Sequence, residues 1–324
     1  MPSTSDRAPQ TFVFLLVEGL SMMSLASAIE PLRSLNRLLG QDAYRWRLAS
    51  VDGNPVSASN GIALAAENAA SAIEGADILF VCGGLRVRPQ HERRYLGVLR
   101  RAVRQRVALG SLSTGAYLLA RAGLLTGYRC TIHWENRAAF QEEFPDLACT
   151  DKIYEIDRDR LTCSGGTAAM DLMLRLIADR HGRERAQQVA NQFHHERIRD
   201  AAHEQRGGRP DYLVNVPPML KSAIRAMAET LENPLPIARL AVGAGISARQ
   251  LERLFLRYVR MTPARYYIAL RVDRARELLI YSDLPVLDIA VATGFTSSSH
   301  FSQWFRRLHG VRPSELRSRA QQPP

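Results

Sequence analysis

A chain of 324 residues, 46% of them hydrophobic, is long for one domain and leads us to expect two, each with its own core. No apolar run reaches the roughly 18 residues that cross a bilayer, and the polar first ten residues, with Pro2 and Pro9, lack the apolar core of a signal peptide, so no membrane partner and a cytoplasmic location are expected. The formal net charge of +11 rests almost wholly on arginine, with lysine only at 152 and 221, and points to a polyanion, nucleic acid ahead of membrane. The four cysteines, Cys82, Cys130, Cys149 and Cys163, show no CxxC and no zinc spacing. They are read as free thiols, with no metal and no cofactor.

Thr11–Val17 (TFVFLLV) is a continuous apolar run that suits a strand covered on both faces. A helix from Ser21 to Leu39 follows. Ser21 caps it, Met22, Leu25, Ile29, Leu32 and Leu35 recur at helical spacing, Gly40 stops it, and Pro31 should kink or restart it. The stripe of Met22, Met23 and Leu25 is assigned to the core. Tyr44–Val51 alternates as a second strand, and Asp77–Val81 (DILFV) is a third, closing at Cys82-Gly83-Gly84. His91 to Arg106 reads as an amphipathic helix and Val107–Leu112 as a strand. A tight Ser113-Thr114-Gly115 turn then leads into a helix, Ala116–Ala122. A strand Tyr128–Ile132, a hairpin of Ile153–Ile156 and Leu161–Cys163 around DRDR, and a strongly periodic helix Thr167–His181 complete the pattern. Strands alternating with helices imply a mostly parallel, doubly wound α/β sheet of flavodoxin-like type.

In such a sheet ligands sit at the carboxyl ends of strands. Three of those ends stand out: Val17-Glu18-Gly19, Cys82-Gly83-Gly84 and Ser113-Thr114-Gly115. The last has the form of a nucleophile elbow, where a sharp strand-to-helix turn projects a side chain over the sheet edge, although Ser111 stands where the pattern has its first glycine. His133 is open to two roles, a base for Ser113 or a polar ligand contact. Cys82 and Cys163 read as buried small apolar residues, and Trp134 as packing beside the site. The candidate ligand-binding set is Cys82, Gly83, Gly84, Ser113, Thr114, His133, Trp134 and Gly165, with no catalytic residue assigned.

These residues carry a resemblance. VCGG, LSTGAYLLARAGLLTGYRCTIHW and TCSGGTAAMDLMLRLI together resemble the PfpI-like domain, related to class I glutamine amidotransferases, over about Thr11 to Ile198. The resemblance implies that the elbow of the enzymes carries Cys followed by His, where this chain has Ser113-Thr114. It also implies a glutamate after the first strand, where Ser21 aligns, with Glu18 three residues away. A serine without a positioned base is a weak nucleophile, so the domain is expected to bind a ligand and not to be an enzyme. The competing expectation is a Ser-His hydrolase or amidase fused to a DNA-binding tail.

Arg183 to Arg199 reads as a charged helix that ends the first domain or serves a dimer. His194 and His195 are adjacent and diverge by about 100° on a helix, which does not suit a shared metal. HEQRGGRP, His203 to Pro210, has no apolar period and reads as an exposed linker. A helix from about Met219 to Leu231, ended by Asn233-Pro234, precedes two units built alike. Each has a short apolar helix (Ile237, Leu240, Ala241; then Val286, Ile289, Ala290), a glycine turn (Gly243 and Gly245; then Gly294) and a capping hydroxyl (Ser247; then Ser297). Each ends in a second helix with arginines on its outer face, which is a helix-turn-helix twice over. The expected boundaries are 10–200 for the sensing and dimerisation domain, 201–212 for the linker and 213–320 for an all-α DNA-binding domain, with units at 236–259 and 286–309.

With Leu251, Leu254 and Phe255 inward, Arg249, Gln250, Glu252, Arg253 and Arg257 are left facing out. Arg249 and Arg253 lie four apart, and either can fork onto a guanine. In the second unit Phe301, Trp304 and Phe305 pack inward, leaving Ser298, Ser299, Ser302 and Gln303 outward and Arg306 and Arg307 nearer phosphate. Ser247 joins the DNA-binding set at the helix start. From Asp211 onward sixteen Lys and Arg stand against nine Asp and Glu, an electrostatic footprint for double-stranded DNA. I-A-R-L-A…G-I-S…L-E-R-L-F, T-P-A-R-Y and D-I-A-V-A-T-G-F…S-H-F-S-Q-W-F-R…G-V-R-P resemble the AraC/XylS family of DNA-binding domains. That resemblance implies two units joined by a long helix, here about Arg265 to Tyr281, with second helices in successive major grooves. Together the two halves resemble the GlxA-like regulators. The implied protein is a transcriptional activator working as a homodimer with RNA polymerase. It answers to a small-molecule effector, and SMMSLASAIEPLRSLNRLLG resembles members sensing amino acids or quaternary amines.

Overall fold

The computed structural model describes residues 8–85, 89, 91–205, 216–282 and 284–321. Contacts divide the chain into two units, Met1–Gln205 and Arg206–Pro324.

The first unit is built on β1 (Gln10–Leu16), whose side chains alternate between two cores. Phe12, Phe14 and Leu16 enter one cluster, and Val13 and Leu15 enter the other. A strand buried on both faces must be apolar throughout, which is why the period of two is invisible in its sequence. Next come α1 (Met22–Leu39), β2 (Tyr44–Ser50), the short strands β3 (Val56–Ser57), β4 (Ala63–Leu64) and β5 (Glu67–Asn68), and α2 (Ala69–Ala72). They are followed by β6 (Ile78–Cys82), α3 (Glu92–Arg104), β7 (Ala108–Leu112), a single 3-10 turn at Ser113–Gly115 and α4 (Ala116–Arg121). The unit closes with β8 (Arg129–Cys130), α5 (Trp134–Glu143), β9 (Ala148–Cys149), β10 (Tyr154–Asp157), β11 (Arg160–Cys163), α6 (Ala168–His181) and α7 (Arg183–Gln192). The main sheet has seven strands in the order β10-β11-β7-β6-β1-β2-β5, parallel except for the β10–β11 hairpin. Helices α1, α6 and α7 supply one core, and α3 and α4 the other. Stacked Phe12, Phe14 and Phe80 fill the first, with ring centroids 5.9–6.4 Å apart.

Pro31 lies inside α1, which continues through it without restarting. Four expectations differ from this arrangement. Met23 is 60% exposed and lies outside the core stripe. The strand expected over Tyr128–Ile132 shrinks to Arg129–Cys130 and leaves the main sheet to pair with β9. There Thr131 gives its N–H to the Thr162 hydroxyl at 2.8 Å, a side-chain bond in place of a ladder bond. The charged helix stops at Gln192, because His194 turns left-handed with φ 51° and the chain beyond is captured by Asp171. That carboxylate is fully buried and accepts from Arg199 N (2.8 Å), Nε (2.9 Å) and Nη2 (2.6 Å), with His195 Nε2 at 2.8 Å. The expected linker begins too early, since His203–Gln205 are fastened to the first unit. Ile153 N donates to His203 O (3.0 Å), and Gln205 N donates to Asp151 O (2.7 Å). The rest of that linker lies outside the described residues.

The second unit holds α8 (Pro218–Glu229), α9 (Ile237–Gly243), α10 (Ala248–Leu254) continued by a π turn over Phe255–Val259, α11 (Pro263–Tyr281), α12 (Val286–Ala292), α13 (Ser298–His309) and α14 (Pro313–Gln321). Leu220, Met227, Leu240, Leu251, Phe255 and Tyr267 close the core of the first helix-turn-helix. In the second, Ile289, Phe295, Phe301 and Phe305 are buried. The turn glycines Gly245 and Gly294 take φ of 72° and 75°, the left-handed conformation that ends a helix within one residue.

Candidate functional site

The outer face of the second unit is set by how its helices begin. Ser247 Oγ accepts from Gln250 N at 3.2 Å, while Ser247 N (2.9 Å) and Oγ (3.1 Å) donate to Gln250 Oε1. This is a reciprocal capping box. The cap expected of Ser247 is thus formed, and it occupies the hydroxyl and the Gln250 amide oxygen. Arg249, Glu252, Arg253 and Arg257 are exposed. Among the described residues nothing engages Arg249, Glu252 or Arg253, while Arg257 lies 5.4 Å from the Tyr258 ring. The exposed surface of α10 and of the π turn that continues it therefore carries three guanidinium groups.

In the second unit Ser297 caps α13 by accepting from His300 N at 3.4 Å. Ser298, Ser299, Gln303, Arg306 and Arg307 are exposed, and Ser302 is half-buried. A cleft of about 510 Å³ is lined by Ser302, Gln303, Arg306, Arg307 and Arg312. Trp304, expected inside, is half-buried. Its indole N–H donates to His300 Nε2 at 2.8 Å, and Arg307 lies 5.2 Å from its ring. Sequence reasoning missed His300 and Arg312. The i,i+4 spacing of His300 and Trp304 and the G-V-R-P motif were the available signals.

In the first unit Ser113 takes φ 57° and is 6% exposed, the strained turn that an elbow requires. Backbone meets backbone around it. A Cβ on Gly115 would fall 2.1 Å from Val81 O, and one on Gly83 would fall 2.4 Å from Gly115 N and Thr114 Oγ1. A Cβ on Gly84 would fall 2.1 Å from Gly19 O. Gly83 and Gly84 therefore allow close packing of the strand ends. Thr114 is also committed, its hydroxyl donating to Gly84 O at 2.8 Å. Cys82 points into the core, where burial pushes its thiol far up.

Gly165, with φ 93°, does border Ser113. A Cβ there would fall 2.9 Å from Ser113 Cβ and 2.8 Å from Ser24 Oγ. Ser24 Oγ accepts from Gly166 N at 2.7 Å and donates to Ser21 Oγ at 3.0 Å. Ser24 is the residue that sequence reasoning overlooked here; its i+3 spacing from the Ser21 cap was the signal. Glu18 is spent elsewhere, accepting from Ser57 N at 3.3 Å. His133 stands at the start of α5, where burial lowers its pKa and favours the neutral ring. Its nearest carboxylate is Glu135 at 3.9 Å, and Trp134 lies 5.7 Å away, ring to ring. No hydrogen bond joins His133 to Ser113 among the described residues, so the base role for His133 has no assembled geometry.

Residues 12–179 match the DJ-1/PfpI family, and residues 240–319 match a helix-turn-helix domain. The chain is 41% identical over 312 residues to the HTH-type transcriptional regulator GbdR of Pseudomonas aeruginosa, covering 96% of this chain and 85% of that protein. It is 36% identical to the HTH-type transcriptional regulator GlxA of Rhizobium meliloti, covering 98% of each. A solved AraC family transcriptional regulator from Pseudomonas putida is similar at a TM-score of 0.53 and 36% identity, over 57% of this chain and 100% of that one.

The capping box makes a simple prediction. Ser247→Ala lowers the unfolding free energy of the second unit by about 1 kcal/mol, the ordinary worth of a cap, and Ser247→Gly by a few tenths; urea denaturation of the two variants separates these values. Equal stability of Ser247→Ala and the parent chain would contradict the cap.

Proposed function

The chain belongs to the DJ-1/PfpI family and, along its whole length, to the HTH-type transcriptional regulators that bind DNA, and on that premise we propose how it reads DNA and what governs it. Arg249, Glu252 and Arg253 on α10 meet base edges. Arg257, Arg306, Arg307 and Arg312 meet phosphates. Ser298, Ser299, Ser302 and Gln303 make the weaker, less selective contacts of the second unit, and Ser247 and Gln250 position α10. The observation that carries this division is the set of exposed, unengaged side chains on α10, held in place by a cap that uses the neighbouring polar residues.

The first unit is proposed as the sensor. A small metabolite of the amino-acid or quaternary-amine class sits where Ser113, Ser24 and Gly165 converge, with His133 and Trp134 as its further contacts. The superfamily's Cys-His pair is replaced by Ser113-Thr114, and the Thr114 hydroxyl is turned away to a backbone carbonyl, which supports binding without turnover. In this reading the protein is a cytoplasmic activator that acts as a homodimer with RNA polymerase. The effector works by binding one arrangement of the protein more tightly than another.

Two measurements test the proposal. Arg253→Ala relaxes preference at one base position and costs about 1–3 kcal/mol of operator affinity, read by competition binding at fixed salt. Equal weakening on all sequences would move Arg253 to the phosphate set. A thermal-shift series of amino acids and quaternary amines is expected to yield one compound that raises Tm by mass action, and no rise across both classes would count against the sensor.

A further inference from the structure

The short parallel pair β8–β9 sets Cys130 opposite Cys149. Neighbouring strands run about 4.8 Å apart, and residues in register project to the same side. That spacing lies inside the roughly 4.4–6.8 Å Cα window that a disulfide spans. Cys130 is buried and Cys149 is half-buried. We propose that Cys130 and Cys149 are an oxidisable dithiol that hydrogen peroxide converts to a disulfide within one chain.

The two sulfurs are not equivalent. The neighbouring Cys130 thiol, and after it the charge of Arg137, hold Cys149 below the ordinary thiol range despite its burial. The nearness of Cys149, together with burial, pushes Cys130 up. Cys149 is therefore the attacking sulfur and Cys130 the resolving one. The Cys149 thiolate attacks a peroxide oxygen, and the O–O bond breaks. The sulfur becomes a sulfenic acid, and the departing hydroxide takes up the proton released by the thiol as water. The Cys130 sulfur then attacks the sulfenic sulfur, the S–S bond forms, and the S–O bond breaks. The hydroxide leaves as a second water with the Cys130 proton. Two thiols are oxidised, and one peroxide is reduced. The other cysteines are poor competitors, since Cys82 and Cys163 are fully buried and burial pushes the Cys163 thiol to about 12.

The pair also borders the place where the first unit ends. Gln205 Nε2 donates to Thr131 Oγ1 (2.9 Å), Ile132 O (3.0 Å) and Lys152 O (2.9 Å). These acceptors follow Cys130 and Cys149 by one to three residues, so the new bond alters the seat of Gln205.

The test treats the full chain with one equivalent of hydrogen peroxide, then alkylates it under denaturing conditions. The expected result is a linked Cys130–Cys149 peptide, reversed by dithiothreitol, in a band of single-chain size on a non-reducing gel, with Cys82 and Cys163 alkylated. Cys130→Ser should leave a dimedone-reactive sulfenic acid at Cys149. Untreated parent protein should bind one equivalent of phenylarsine oxide, which bridges paired thiols and needs no variant to fold. Full alkylation of Cys130 and Cys149 after peroxide, or linkage between chains, overturns the site. Amide exchange at Gln205 is expected to quicken at least threefold in the disulfide form, and unchanged exchange overturns the effect on the seat.

Discussion

The DNA-binding half depends on the grip of Arg271. This residue lies midway along α11, and its Nε donates to Thr293 O at 2.7 Å and its Nη2 to Gly294 O at 2.6 Å. Its guanidinium also covers the Phe295 ring at 4.1 Å. Those carbonyls end α12, where helix geometry leaves them without partners of their own. Four residues earlier on α11, Tyr267 Oη donates to Thr230 O at 2.7 Å and accepts from Leu235 N at 3.3 Å. One turn of α11 thus holds the approach to the first helix-turn-helix and the turn of the second. Gly294 completes the joint: a Cβ there would fall 2.4 Å from Leu231 O, so the second turn rests directly on the chain leading to the first. The spacing of α10 and α13 is a property of this joint, and two reading helices on a rigid spacer can engage one face of a duplex together.

The first unit uses the same economy of backbone contact around a different centre. Sheet strands buried on both sides bring Val81, Cys82 and Leu112 to one edge. Glycines at 83, 84 and 115 let that edge close on the Ser113 turn. The result has the strained shape of a strand-to-helix elbow, with Ser113 at its tip. Ser113 faces Gly165 and the Ser24 hydroxyl, and no hydrogen bond to His133 is made among the described residues. A rigid, hydroxyl-lined corner suits recognition of a polar small molecule. Strain at Ser113 is retained because the surrounding packing fixes it.

Much of this was legible in the sequence. Apolar periodicity located β1, β6, α1, α6 and both helix-turn-helix units to within a few residues, since each is a long or repeated pattern. The hydroxyl at Ser247 and the glycine at 294 marked helix starts and stops correctly because caps are local. The misses share a physical cause. Whether a residue such as Gln250 or Thr114 is free depends on a hydrogen bond that spacing alone does not reveal. Gly83 and Gly84 are ambiguous in the sequence because absence of a side chain serves close approach as readily as ligand access. The end of α7 was set by a buried carboxylate, Asp171, that reaches across 28 residues of chain to Arg199, and no local signal encodes such a partner. The Cys130–Cys149 pairing depends likewise on strand register.

The account stands on two reading helices held at a fixed spacing by α11. Hydroxyl-radical and methylation footprinting of the full chain on its operator tests this directly. Per chain, the account predicts two protected major-groove patches on one face of the duplex about one helical turn apart, the patch under α10 showing the sharper base preference. A single protected patch, or two patches whose separation varies from site to site, would contradict it.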